Sequence, residues 1–407
     1  MINSKKALKI ILNLSKSLGS ETISIENSLS RVLTENIYSD INMPPFDRSA
    51  MDGFAVNSKD SSEVFEIIED IPAGKVPKKT IKFGQCARIM TGAMLPKGAD
   101  RVIMIEDSEP ATERRGSFSF KEPRRLASGS TKSNVSKLGE DIKAGELILK
   151  KGTKLRPQEA AMLATVGKTK VKVWRQPIVA VISTGSELVE PNQKPKLGQI
   201  RNSNASMLLV QLKQRGIDGK YLGIACDNFA ATRKLVQKGL ETDILLLSGG
   251  VSVGDYDFVK EVLTSCGVKL HFNKVAIKPG KPTVFGTLGK KLVFGLPGNP
   301  VSVLVIFELF VVPALDKIVG QQTKSKFKRM RLLKDFSRRD TKREQYFPIR
   351  MRGTENSFSG SEPIGVEPLA FHGSAHMQAL TRANGIMQIK RGIKQLKKGA
   401  IVNVRPI

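Results

Sequence analysis

Val179-Ala180-Val181-Ile182-Ser183-Thr184-Gly185-Ser186-Glu187 is the stretch of this 407-residue chain that decides its fold. Four apolar residues predict a strand, and Ser-Thr-Gly ends it at a loop that carries a carboxylate. The rhythm repeats downstream, with a helix near 204–215, a strand at 221–225, a helix near 232–240, a strand at 244–247 and a helix near 258–266. Strands and helices alternating in this way imply a parallel sheet covered by helices on both faces.

Upstream, residues 44–137 read as short β-like runs, 64–68 and 99–104 among them, broken by Gly and Pro. They predict a small β domain. Before it, residues 5–18 place Leu8, Ile11, Leu14 and Leu18 on one helical face, and Gly19 supplies a stop. Downstream, the apolar run 301–315 predicts a helix, a basic connector follows residue 317, and a Gly-punctuated tail ends in strand-like residues 400–404, a further β domain. Domains cluster near ~100–150 residues, so a chain of this length holds several. The expected class is multidomain α/β plus β.

A 40% hydrophobic and 26% charged composition is that of a soluble globular chain, which excludes wholesale disorder. The net charge of +28 favours anionic partners. Its lysines and arginines are scattered apart from clusters at 324–331 and 390–398, with no aromatic-interleaved basic segment. Most of the surplus therefore reads as solvated surface, and no nucleic-acid partner is expected. Cys86, Cys226 and Cys266 are too dispersed for a disulfide framework or a CxxC metal site, which fits a reducing cytoplasm. The start of the chain lacks a signal-like apolar core, and the 301–315 run is short of ~20 residues and contains Glu308 and Pro313. No membrane partner is expected.

In an open parallel sheet, ligands bind beyond the carboxyl ends of the strands. The loops expected there carry Glu187, Asp227 and Asp257. Carboxylate oxygens suit Mg²⁺, which typically joins one or two of them to substrate phosphates. Each acid alone reads as a helix cap, and their joint placement favours a site. The loop Ser248-Gly249-Gly250-Val251-Ser252-Val253-Gly254 lets backbone N–H groups approach an anion closely. In Lys274-Val275-Ala276-Ile277-Lys278-Pro279-Gly280-Lys281-Pro282, two prolines stiffen an extended segment bearing three cations, which suits phosphate or another oxyanion. Pro297-Gly298-Asn299-Pro300 then opens the 301–315 helix, with Asn299 as cap and Pro300 near its first turn, so free N–H groups face a ligand. The three histidines, His271, His372 and His376, lie in no nucleophile context. His372 and His376 are spaced to share a helix face, but without an HExxH pattern they read as ordinary histidines.

Several blocks together resemble the MoeA-type molybdopterin molybdenumtransferases, related to the enzyme domain of gephyrin. They are Pro44-Pro45-Phe46-Asp47-Arg48-Ser49-Ala50-Met51-Asp52-Gly53-Phe54-Ala55-Val56, Arg88-Ile89-Met90-Thr91-Gly92-Ala93 and Gly139-Glu140-Asp141-Ile142, together with the Ser183-Thr184-Gly185, 248–254, 276–282 and 295–302 motifs. The resemblance runs nearly the length of the chain. It implies an N-terminal and dimerisation domain of residues 1–45 with 139–173, an inserted β domain at 46–138, a molybdopterin-binding α/β domain at 174–320 and a C-terminal β domain at 321–407. The implied reaction inserts molybdate into adenylylated molybdopterin and releases AMP.

On this resemblance Glu187, Asp227 and Asp257 hold Mg²⁺ and the phosphates, while Lys274 and Lys278 stabilise oxyanion charge. Ser183, Thr184, Gly185, Ser248, Gly249, Gly250, Ser252, Gly254, Lys281, Pro297, Gly298, Asn299, Pro300 and Ser374 bind substrate. The family forms homodimers with a shared cleft, so Asp52, Thr91 and Asp141 act in trans. The pathway's adenylyltransferase is a further implied partner. The chain departs from the family pattern at Val135-Ser136, where an Ile-Arg pair is common, with Lys132 and Lys137 as the nearest cations. It departs again at Tyr346-Phe347-Pro348, where an arginine is frequent and Arg343 and Arg350 are neighbours. The sequence also admits two other readings, a non-catalytic molybdopterin- or nucleic-acid-binding scaffold and a molybdopterin adenylyltransferase, whose middle domain is shared.

Overall fold

The computed structural model describes residues 1–110, 116–120, 133–251, 259–321, 327–353 and 365–407. They form two compact units, one of Met1–Glu35, Gly152–Ala160 and Lys170–Ile407, the other of Asn36–Lys151 and Ala161–Thr169.

The larger unit is built on a six-stranded sheet in the order Gly219–Ala225, Val179–Thr184, Ile244–Ser248, Lys291–Leu296, Val284–Leu288, Lys269–Phe272. The first four strands are mutually parallel, as the alternation requires. Every residue of Val179–Thr184 and Ile244–Ser248 is buried, and successive side chains enter opposite cores. Val179, Val181, Ile244 and Leu246 join one cluster, and Ala180, Ile182, Leu245 and Leu247 the other. This two-sided burial explains why the strands read as unbroken apolar runs. Helices Ser203–Lys213, Phe229–Gly239 and Val259–Ser265 cover the sheet, close to their expected spans.

Two pairs break the parallel pattern. Lys269–Phe272 runs antiparallel to Val284–Leu288. Val284–Leu288 in turn runs antiparallel to Lys291–Leu296. Only Gly289 and Lys290 separate them, and Gly289 takes φ +58°. A parallel crossover needs about a dozen residues, whereas a two-residue link permits only a hairpin.

The apolar run is helical over a longer span than expected, as Pro300–Ile306, a π-turn at Phe307–Val311, and Val312–Ile318. Pro313 has no N–H to donate, and the wider turn falls just before it. The opening helix is shorter than expected, Ser4–Leu14, because Ser15 turns extended and returns both its N–H and its hydroxyl to the Ile11 carbonyl. Gly19, with φ +92°, lies beyond that stop.

The C-terminal residues form a second six-membered sheet ordered Ile277–Lys278, Glu344–Arg352, Gly385–Ile389, Ile401–Pro406, Lys328–Arg331, with Gly365–Pro368 also on Glu344–Arg352. Its edge strand, Ile277–Lys278, is donated by the cationic Pro-Gly-Lys-Pro segment and pairs in parallel with Glu344 and Gln345. Glu308 of the apolar helix takes two guanidinium bonds from Arg405, at 2.9 and 2.8 Å, where both side chains are buried.

The smaller unit carries a sheet ordered Arg101–Met104, Gly53–Val56, Gln85–Ile89, Val64–Ile71, Ser117–Phe120, Ser108–Pro110. Phe54, Phe65 and Phe118 stack in its core, with ring centroids 4.0 and 5.6 Å apart. Gly53 is required there, because a Cβ would collide with the Ile103 carbonyl of the neighbouring strand. Among the described residues no helix is long and apolar enough to cross a membrane.

Candidate functional site

The carboxyl ends of the parallel strands open on a cleft of about 660 Å³. Three strand-end loops contribute Thr184, Gly185 and Glu187, then Asp227, then Gly249 and Gly250. Lys278 to Pro282 form another wall, followed by Pro297, Gly298, Asn299 and Ser302 at the head of the apolar helix. The C-terminal residues close the cleft with Arg343, Gln345, Phe371, Gly373 and Ser374.

Local geometry explains the loop sequences. Gly249, at φ +98°, passes so near the Thr184 carbonyl that a side chain there would clash with it. Thr184 is 4% exposed, and its buried hydroxyl has no hydrogen-bond partner among the described residues. Leaving such a group unpaired costs ~1–3 kcal/mol, which a ligand hydrogen bond would recover. Ser186 and Asp227 clasp each other. The Ser186 N–H donates to the Asp227 carboxylate at 2.8 Å, and the Asp227 N–H donates to the Ser186 hydroxyl at 3.0 Å. The neighbouring Glu187 carboxylate folds back over Gly185, where a Cβ would overlap it.

The positive side is equally constrained. The backbone ladder fixes Lys278, since Ile277 and Lys278 pair with Glu344 and Gln345. Arg343 is held by the Asp340 carboxylate at 3.2 Å and the Ile277 carbonyl at 3.4 Å. The Lys342 N–H and then the Arg343 guanidinium keep the Asp340 carboxyl below the usual carboxylate range, so that acid stays ionised. Among the described residues neither Lys278 nor Lys281 has a hydrogen bond or ion pair to its ammonium, nor Glu187 to its carboxylate. Two carboxylates and two unpaired lysines therefore share one cleft.

Thr184, Gly185, Glu187, Asp227, Gly249, Gly250, Lys278, Lys281, Pro297, Gly298, Asn299 and Ser374 all line this cleft. Ser183 does not, being buried with its hydroxyl on Asn202 at 3.0 Å. Ser248 lies just behind the wall and receives the Asn204 amide at 2.9 Å. Pro300 begins the helix without lining the cleft, and Lys274 is also outside, its carbonyl taking the Ile2 N–H at 3.1 Å. Asn299 occupies the cap position but makes no side-chain cap bond, and its amide donates instead to the Ser374 hydroxyl at 2.8 Å. The Ser374 carbonyl in turn accepts the Val301 N–H at 3.1 Å. Ser252, Gly254 and Asp257 fall outside the described residues, as does Lys132.

Asn204 went unnoticed in the sequence. Its amide donates to Ser248 and to the Gly298 carbonyl at 2.6 Å, tying the two glycine-bearing loops together. Of the neighbouring arginines, Arg343 lines the cleft and Arg350 is exposed elsewhere. Lys137 pairs with Asp47 at 2.9 Å. His372 and His376 share no helix face. They precede Met377–Arg382 with their rings stacked at 5.0 Å. Among the described residues no three His, Cys, Asp or Glu side chains group as metal ligands.

In the smaller unit, the Asp52 carboxylate accepts the Thr91 N–H at 2.6 Å and the Thr91 hydroxyl at 2.8 Å. These bonds, the backbone one foremost, hold its carboxyl below the ordinary range. Asp141 is exposed, with its N–H on the Met43 carbonyl at 3.0 Å.

A mostly parallel sheet with its cleft at the strand ends, joined to a C-terminal β sheet and accompanied by a separate β unit, defines a multidomain α/β plus β protein with a sheet-edge ligand cleft. Residues 2–167 match the family described as "MoeA N-terminal region (domain I and II)", residues 180–317 "Probable molybdopterin binding domain", and residues 329–407 "MoeA C-terminal region (domain IV)". The molybdopterin molybdenumtransferase of Staphylococcus epidermidis is 37% identical over 415 residues, covering 99% of this chain and 95% of that one. That of Bacillus subtilis is 36% identical over 414 residues, covering 98% and 92%. The crystal structure of a molybdopterin biosynthesis MoeA protein from Pyrococcus horikosii superposes with TM-score 0.79 at 34% identity, over 100% of this chain and 99% of that one. The chain belongs to the MoeA family of molybdopterin molybdenumtransferases, a family of molybdenum cofactor biosynthesis.

Proposed function

We propose that this protein inserts molybdate into adenylylated molybdopterin, cleaving the pyrophosphate linkage with release of AMP and leaving the metallated dithiolene. The observation that carries this reading is the opposition, within one cleft, of Glu187 and Asp227 to Lys278, Lys281 and Arg343. A substrate with two phosphates and a tetrahedral oxyanion needs that combination, because phosphoryl chemistry is governed by positioning and charge neutralisation.

Glu187 and Asp227 fit a hard divalent cation shared with substrate phosphates, and Asp257 is proposed as a third ligand. When bound, Mg²⁺ would offset charge on the phosphates as the P–O bond breaks. Lys278 and Lys281 supply ammonium donors to the remaining phosphate or molybdate oxygens. Arg343, already oriented by Asp340, offers its remaining N–H groups to the same charge. The Thr184 hydroxyl and the N–H groups after Gly249 orient the ligand at the floor.

In this reading the active form is a cytoplasmic homodimer in which Asp52, Thr91 and Asp141 of the second copy complete the cleft. Purified protein given adenylylated molybdopterin, Mg²⁺ and molybdate is expected to release AMP and to reactivate an apo-molybdoenzyme. Absence of both would sink the proposal. Substituting tungstate in the same assay identifies the preferred oxyanion.

A further inference from the structure

The +28 charge is not spread evenly, and one concentration of it leads to the cleft. Residues 331–343 and 390–400 carry eleven Lys and Arg against two Asp. The two segments run side by side as an antiparallel ribbon. Gly399 N–H bonds to the Leu332 carbonyl, Phe336 pairs with Leu396, Ser337 with Gln395, and Gly392 N–H bonds to the Thr341 carbonyl. Arg338 clamps them from inside, its guanidinium donating to the carbonyls of Ile393, Lys390 and Arg343 at 2.7, 2.6 and 3.0 Å. Both carboxylates are occupied, Asp335 by Lys397 at 3.0 Å and Asp340 by Arg343 at 3.2 Å.

Orientation separates this ribbon from an ordinary lysine-rich surface. One end runs into the cleft, because Arg343 and Gln345 line it and Lys278 is the ladder neighbour of Gln345. At that end Arg339, Lys342 and Arg391 are exposed, and the Gly392–Thr341 bond brings Arg391 alongside Lys342. Arg331, Lys397 and Lys398 are equally exposed at the other end. We propose that the ribbon collects a small, multiply anionic substrate and guides it to the cleft, with the cleft-proximal cations dominating. The substrate's identity rests on the function proposed above, whereas the guiding role rests on the ribbon. Like-signed charge leading into a cleft raises encounter rates by ~10–10³, and salt removes the effect.

Two triple variants with the same change in net charge test this. The proximal variant is Arg339→Gln/Lys342→Gln/Arg391→Gln, and the distal variant is Arg331→Gln/Lys397→Gln/Lys398→Gln. kcat/KM for AMP release by the proximal variant is expected to fall about tenfold at low salt with kcat unchanged, and to recover near 1 M salt, where the screening length is ~3 Å. The distal variant is expected to change much less. Stopped-flow association of a fluorescent ADP analogue reads the same ordering without turnover, so a wild-type protein that releases no AMP defeats the reaction and leaves the ribbon testable. Equal losses in both variants would mean bulk charge alone, and no loss in either would mean no guidance. A proximal variant that binds the ADP analogue normally but loses salt-sensitive DNA binding would reassign the ribbon to nucleic acid. Each of those three outcomes overturns the proposal.

Discussion

Glu308 and Arg405 in the larger unit, and Glu187, Asp227, Lys278 and Lys281 at its cleft, use nearly the same charged groups in opposite ways. Glu308 and Arg405 are 8% and 4% exposed, meet through two bonds, and draw Arg215 to within 3.7 Å of the same carboxylate. Their charge is spent inside the protein. At the cleft, Glu187, Lys278 and Lys281 line one cavity with no hydrogen bond or ion pair to their charged ends among the described residues, so their charge is left for something else. A buried charge must be matched at once or it destabilises the fold, whereas a rim charge can stay solvated until a ligand displaces the water.

The strongest way to break that contrast is to remove one side of the buried pair. Arg405→Ala should lower unfolding free energy by ~3 kcal/mol, measured by urea titration, because Glu308 is left buried with only Arg215, at 3.7 Å, to match it. The double variant Glu308→Leu/Arg405→Met should recover most of that loss. If it does not, the pair does more than neutralise itself.

At the cleft the expectation reverses. Lys278→Met should leave the unfolding midpoint unchanged while kcat for AMP release falls ~10²–10³-fold, the usual cost of losing one oxyanion-stabilising donor. A shifted midpoint with intact kcat would place Lys278 with the structural charges.

Asp52 sharpens the contrast at the smallest scale, being an exposed carboxylate satisfied by its neighbour Thr91. Its folded carboxyl titrates below the ordinary value of ~3.9. The associated stabilisation is therefore complete above that value and is lost as pH falls through the lowered one. Thr91→Val should raise the NMR titration midpoint of Asp52 only part of the way, because the Thr91 N–H bond, the larger cause, survives. A full return to the ordinary value would show that the hydroxyl dominates.

Much of this is legible in the sequence. The 179–187 stretch announced a strand ending in a loop, and the alternation behind it announced a parallel sheet, because residues buried on both faces must be apolar at every position. The strand-end rule then brought Glu187, Asp227 and the Gly249-Gly250 turn to one rim. Most of what escaped depends on partners distant in sequence. Asn204 looks like any residue opening a helix until Ser248 and Gly298 arrive beside it. Asn299 looks like a cap, yet its amide turns to Ser374, seventy-five residues away. The helix from Ser4 stops at Leu14 although its apolar spacing continues to Leu18, because a local Ser15 bond to Ile11 outweighs periodicity.

The sequence by itself determined the alternating strands at 179–184, 219–225 and 244–248 and which family the chain joins, since those depend on burial pattern and motif spacing. Only the tertiary structure decided which charges are consumed and which are left open. Lys278 and Arg405 are both cations on strands of the C-terminal sheet. One ends opposite a buried glutamate and the other in a cleft, because long-range packing, which no local pattern encodes, sets what faces each side chain.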